Sequence, residues 1–174
     1  MIVDLDGVTI RPAGPDDAAR IAQVDVLSWQ GAYAGLLPAD LLAGLEPRGR
    51  AARWESMLTS SPEKHVLLAE QGPYTLGFAS YGPSGDEDAD AFTSELYAMY
   101  LDPAAWGHGV ARRLMRTVLA EVPAGKPMTM WVPDGNDRAF RFYRRHGFHP
   151  DGVERLEDFA GHPLRELRLR RASV

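Results

Sequence analysis

The chain has 174 residues, the length of about one domain, and its 45% hydrophobic and 25% charged residues exclude a disordered chain and argue against a multidomain machine. It contains no cysteine, which removes disulfides, thiolate metal sites and cysteine nucleophiles, and its formal net charge of -5 argues against general attraction to nucleic acid or an anionic membrane. No apolar run reaches the ~20 residues of a membrane helix, and the opening residues 1–7 lack the basic flank and apolar stretch of a leader, so a cytoplasmic location is the expectation.

In chain order, the β-branched residues Val8, Thr9 and Ile10 predict a strand over residues 8–11, and Pro15, Asp16 and Asp17 supply the proline and acids of a helix start. Apolar Ala18, Ile21, Ala22, Val24, Val26 and Leu27 carry that helix toward Trp29 and Tyr33, and Gly35 and Pro38 break it. Shorter helices follow over residues 39–45 and 50–58. Residues 65–70 and 75–81 read as a hairpin turned by Gln71, Gly72 and Pro73, after which Asp86, Glu87, Asp88 and Asp90 make an acidic loop. Residues 95–101 are aromatic or apolar on both faces, as in a strand buried mid-sheet. Val110, Leu114, Met115, Val118 and Leu119 then recur at helical spacing through Val122. A strand over 128–132, a capped turn over 134–137, a helix over 139–146 closed by Gly147, and two last strands parted near residues 160–163 complete one domain spanning 1–174. Arginines gather in the second half, at Arg112, Arg113, Arg116, Arg138, Arg141, Arg144, Arg145, Arg168, Arg170 and Arg171. They read either as an anion site or as solvated faces.

The stretch between the central strand and the next helix, Trp106, Gly107, His108, Gly109, Val110 and Ala111, places small residues where helix-start amides are unpaired and the helix dipole is positive. A phosphate fits there, although a glycine pair before a helix is also a common turn. The segment has neither the Gly-Lys-Ser/Thr ending of a triphosphate loop nor the three-glycine dinucleotide fingerprint.

Leu101-Asp102-Pro103 followed by Trp106-Gly107-His108-Gly109-Val110-Ala111 resembles the cofactor loop of the GNAT superfamily of N-acetyltransferases, with Trp106 where that family usually has Gln or Arg. A second family motif runs intact from Asn136 through Ala139, Tyr143 and Gly147 to Phe148. The likeness covers roughly residues 8–171, including the stretch from Ser28 to Tyr33. It implies an α+β fold with a mixed, mostly antiparallel sheet of about six to seven strands flanked by helices. It further implies acetyl-CoA as co-substrate, no metal, and an acceptor that is a small amine or a peptide or protein amine.

Acetyl transfer from a thioester to an amine poses three problems. An alkyl amine with a pKa near 10.4 is protonated at pH 7, so freeing its lone pair costs about 4–5 kcal/mol. Glu95, an even six residues before Leu101 and hence on the same strand face, is a candidate base in line with the resemblance, or else a strand-end carboxylate paired to an arginine. An oxyanion needs a fixed N–H donor, which the resemblance places on the backbone around Met99, Tyr100 and Leu101. The leaving thiolate needs a proton, which the resemblance assigns to Tyr143, a half-buried core aromatic being the alternative. Asn136 caps a helix or contacts the pantetheine arm, and Arg112, Arg113 and Arg145 face phosphates or solvent. Trp29, Tyr33 and Trp54 line an amine pocket or belong to the core. The five histidines show no metal-ligand spacing. A CoA-sensing module without turnover, and a different acyl-CoA donor, remain open beside this reading, and a homodimer is expected by association only.

Overall fold

The computed structural model describes residues 3–172; Met1 and Ile2, the start of the stretch read as leaderless, lie outside it, as do Ser173 and Val174. Strands β1 (Thr9–Pro12), β2 (His65–Gln71), β3 (Tyr74–Pro83), β4 (Ser94–Leu101), β5 (Met128–Pro133), β6 (His149–Phe159) and β7 (His162–Arg171) form a seven-stranded sheet ordered β1-β2-β3-β4-β5-β7-β6. Helices α1 (Ala18–Ala32), α2 (Ala39–Ala43), α3 (Pro47–Ser60), α4 (Val110–Glu121) and α5 (Asp137–Arg144) cover it. Helix α5 starts two residues earlier than its apolar spacing suggests, because Asn136 accepts the Ala139 amide at 3.2 Å and caps it.

Each strand pairing is antiparallel except β4 with β5. The chain leaves β4, passes through α4 and returns as β5, a crossover that requires a helix-length connection. On one face, Leu96, Leu101, Met128, Met130, Val132 and Leu169 pack under Val110, Leu114, Met115 and Val118 of α4 and Tyr143 of α5. On the other, Val66, Leu68 and Phe78 pack under Ile21 and Val24 of α1, with Trp54 and Met57 of α3 beside them. Burying both faces explains why the central strands read as near-continuous apolar runs.

Strand β4 carries one residue too many for its partner: Ser80 pairs with Ala98 and Tyr81 with Leu96, so Tyr97 bulges out of register. The bulge reverses the alternation. Leu101 points into the α4 face, whereas Glu95, paired with Gly82, shares the opposite face with Ala98 and Tyr100. The even spacing therefore misplaces Glu95, since a parity count is valid only along an unbroken pleat.

The far end of α1 carries Trp29, with Tyr33 as its C-cap, and its start is fixed electrostatically. Arg11 of β1 donates to Asp17 at 2.7 and 2.8 Å and to Glu70 of β2 at 2.9 and 3.1 Å. Arg20 of α1 reaches Glu70 at 3.1 Å. The Arg11 hydrogen bonds, aided by the Gly14 amide, hold the Asp17 carboxyl at about 2 against its ordinary 3.8 in spite of its burial. A depressed carboxylate contributes stability above its unfolded pKa and loses it as pH falls through the folded one. Asp17→Asn should thus cost about 1–2 kcal/mol at pH 7. The difference from the parent should close between pH 3.8 and about 2, as read by urea denaturation across that range. A gap that persists undiminished below that window would assign Asp17 a role other than this ion pair.

Candidate active site

Strands β4 and β5 are registered only at Ser94 with Met128 and Glu95 with Thr129. Beyond that they diverge, because β5 stays bound to β7 along its whole length while the bulge at Tyr97 bends β4 away. The gap is a cavity of about 170 Å³ lined by residues 96–101 of β4, Met130, Trp131 and Pro133 of β5, and Asn136, Phe142 and Tyr143. The edge of β4 facing it has no strand partner past Glu95, so backbone amides and carbonyls line one wall. Met99, Tyr100 and Leu101 lie on that wall.

Tyr143 closes the cleft from α5, only 6% exposed, against Phe142 and Phe148 at ring distances of 5.1 and 6.0 Å. Burial, followed by the nearby Tyr33, raises its pKa well above the ordinary tyrosine value, so its hydroxyl keeps its proton throughout the physiological range. Asn136 lies at the other end of the same helix, where it serves as the cap and lines the cleft as well.

At the mouth of the cleft Asp102 accepts the Ala104 amide at 2.8 Å and turns the chain out of β4. Gly107 and Gly109 both adopt left-handed backbone, with φ of 82° and 86°, which a side chain would strain. The first intrahelical bond runs from the Arg113 amide to the Gly109 carbonyl at 3.1 Å. The amides of Val110, Ala111 and Arg112 therefore precede the hydrogen-bond ladder and point outward. Beside them a second, open cavity is lined by His108, Arg112, Arg116, Arg138, Arg141 and Arg145. Arg113 is turned away, donating to the Leu5 carbonyl at 2.7 Å.

The Arg138 guanidinium lies 3.8 Å over the Trp106 ring and borders both cavities. Trp106 and Pro103 both pack against the open flank of Gly31. Burial lowers the Arg138 pKa, and no described carboxylate compensates it. The tryptophan at the position where an Arg or Gln was expected thus serves as a platform for an arginine supplied by α5. The sequence contained both residues, but only the fold stacks them.

The face of the sheet opposite α4 differs in character. Trp29 meets Tyr33 edge-on at 4.6 Å, Phe159 at 5.1 Å and Tyr100 at 6.4 Å, and the Tyr33 and Tyr100 hydroxyls are 3.1 Å apart. The buried Trp29 indole N–H has no hydrogen-bond partner among the described residues. Burial pushes the Tyr33 pKa up to about 12. Trp54 instead packs on Phe78 and donates to Asp25 at 3.2 Å, a core position. Glu95 accepts from the Gly85 amide at 3.1 Å and the Ser84 hydroxyl at 3.3 Å at the closed end of the cleft; burial, seconded by Asp86, raises its pKa.

The aspartates of the acidic loop are held by partners, whereas Glu87 stays exposed. Arg168, 4% exposed, takes Asp88 in a fork and reaches Asp86 at 3.2 Å and Asp151 at 2.7 Å. Asp86 also accepts from the Trp131 indole at 3.0 Å, and Asp90 accepts from the Thr93 hydroxyl at 2.8 Å. No group of three or more His, Cys, Asp or Glu among the described residues is arranged to hold a metal.

Comparison with known proteins places this architecture. The chain is 35% identical over 165 residues to the N-acetyltransferase YuaI of Bacillus subtilis, covering 93% of this chain and 91% of that protein. It is 30% identical over 155 residues to the N-alpha-acetyltransferase RimI of Mycobacterium tuberculosis, covering 89% and 87%. The structure of YncA from Salmonella typhimurium with its cofactor acetyl-CoA superposes with a TM-score of 0.67 at 21% identity, covering 95% of this chain and 93% of that one. A profile of the acetyltransferase (GNAT) family matches residues 29–148, which include the cleft walls on β4 and β5, the glycine loop, Asn136 and Tyr143, and the chain belongs to that family of N-acetyltransferases.

Proposed function

We propose that this chain transfers an acetyl group from acetyl-CoA directly to a primary amine, both substrates being bound together and no acyl-enzyme forming. The observation that carries this reading is the parting of β4 from β5, which gathers an unpaired strand edge, the glycine loop and Tyr143 around one gap. The donor fits the residues present. The amides of Val110, Ala111 and Arg112, with Arg138 on Trp106, form a preorganised anion site for the pyrophosphate, and Arg112 and Arg145 lie beside it. The free edge of β4 is a strand's worth of donors and acceptors for the amides of the pantetheine arm, which would lie there as an added strand.

Acetyl-CoA supplies a thioester carbonyl. A backbone amide of the segment from Met99 to Leu101 donates to its oxygen as charge develops, and strand geometry fixes that donor in advance. Tyr143 donates its hydroxyl proton to the departing sulfur. Its raised pKa keeps the hydroxyl protonated until the sulfur departs, at the cost of a harder transfer, and its burial keeps water from competing. Glu95 takes a proton from the amine side through intervening water, since it lies at the closed end rather than on the cleft wall. Trp29 and Tyr33 shape the acceptor side from α1. The RimI relative is named for acetylating an α-amine, which supports a peptide amino terminus as one acceptor class to test.

Calorimetry with acetyl-CoA followed by thiol release across an amine panel tests the reading, and acetyl-CoA binding without any turnover would favour a sensor. Gly109→Asp should abolish acetyl-CoA binding, because it strains a left-handed residue and puts a carboxylate against the anion site; undiminished affinity would move the phosphates elsewhere. Tyr143→Phe should lower kcat about 10²-fold with affinity for acetyl-CoA retained, and an unchanged kcat would remove Tyr143 from the chemistry. A base must be ionised, so with a raised pKa Glu95 should set an acid limb on kcat/KM, rising with pH. Glu95→Gln should flatten that limb, and an unaltered profile would assign the proton elsewhere.

A further inference from the structure

Beyond Glu95, a second carboxylate lies on the acceptor face and was not singled out by any sequence motif. Glu166 of β7 is 6% exposed and sits opposite Pro133 of β5, a residue of the cleft wall, at the end where β4 and β5 have parted. Its bound cation comes from the edge strand: Arg155 of β6 donates to it at 2.8 Å. The same guanidinium lies 4.3 Å over the ring of Trp131, which lines the cleft. The Arg155 guanidinium thus joins a buried carboxylate, one strand in from the cleft wall, to the ring of a tryptophan that lines the cleft. The cation now held there is a side chain on the outermost strand, 41% exposed.

A merely structural account of this pair is weak on energetic grounds. Burying an ion pair gains little over well-packed apolar residues of similar volume, so stability alone does not call for a glutamate there. The environment also carries the marks of a working group: burial raises the Glu166 pKa against the pull of Arg155, with Glu157 of β6 and Glu95 of β4 adding to the rise. On its other side Glu166 adds to the raised pKa of Tyr33 on α1, whose hydroxyl meets Tyr100 of the cleft wall. Glu166 thus interacts electrostatically with both Glu95 and Tyr33.

We propose that Glu166 is the carboxylate that receives the acceptor's ammonium group, so that the chain selects a positively charged primary amine, and that Arg155 fills this position in the free protein. The inference rests on the acetyl-transfer reading and narrows its acceptor to amines that arrive protonated, lodged between the Glu166 carboxylate and the Trp131 ring.

The test compares two acceptor chemistries in Glu166→Gln: the best-accepted member of a panel of primary alkylamines, charged at neutral pH, and aniline, neutral there. The variant should raise the KM for the alkylamine by about 10- to 100-fold, the loss of one charge-assisted contact, with kcat changed much less. It should change kcat/KM for aniline less than twofold, and Glu166→Asp should recover part of the alkylamine affinity. Equal losses for both amines, or no loss for either, would overturn the proposal, as would a parent enzyme that accepts aniline and no alkylamine. Calorimetry with acetyl-CoA on parent and variant separates the two claims. Retained binding with lost amine selectivity supports the role of Glu166, retained binding with unaltered selectivity removes Glu166 alone, and no binding by the parent removes the acetyl-transfer reading together with it.

Discussion

The structure depends on a strand pair that is made and then abandoned. β4 and β5 hold one another through two registered residues at their starts and nowhere else. Leaving a central strand edge unpaired costs backbone hydrogen bonds, each worth about 1 kcal/mol net and more if the groups stay dry. Two features enforce the separation. β7 binds β5 from Met128 to Pro133, and the extra residue at Tyr97 diverts β4. The chain that crosses from one to the other through α4 must begin at the open end, and that is why the glycine loop and the helix amides face the same gap as the free strand edge. Cofactor site and cleft are consequences of a single topological choice, in keeping with the general placement of ligands beyond the carboxyl ends of parallel strands.

The charge distribution follows the same division. A net charge of -5 conceals a cationic side, where Arg112, Arg116, Arg138, Arg141 and Arg145 ring the loop. The opposite face keeps its anionic groups selectively. Of the conspicuous acids of the loop after β3, Asp86 and Asp88 are held by Arg168, which ties that loop to β7 and, through Asp151, to β6. Near the cleft, though not on its wall, lie two half- or fully buried carboxylates, Glu95 and Glu166, both with raised pKa values. Perturbed carboxylates beside a cleft mark functional sites more often than a count of surface acids does.

Much of this was legible in the sequence because it is written in local chemistry. The glycines of the loop, the cap at Asn136, the doubly buried strand and the tyrosine of α5 each follow from short-range patterns, and the structure keeps them close to where those patterns put them. What escaped was non-local. The bulge at Tyr97 is a mismatch with β3, invisible within β4, and it sent Glu95 to the face opposite Leu101. Trp106 looked like a missing polar contact until Arg138, more than thirty residues on in the chain, was found stacked upon it at 3.8 Å. The acidic loop looked free because its partner lies on the last strand. Glu166 sits in a run of charges broken only by Leu167, Arg165 to Arg168, that any exposed strand could show, and only its register beside Pro133 marks it.

The central claim is that the free edge of β4 and the first turn of α4 together hold the pantetheine arm and pyrophosphate of acetyl-CoA. Amide hydrogen exchange, resolved by residue with and without acetyl-CoA, addresses both at once. The account predicts added protection in Met99 to Leu101 and in Val110 to Arg112, with the edge strand β6 unaffected. Protection that rises elsewhere while these two segments exchange as before would contradict it.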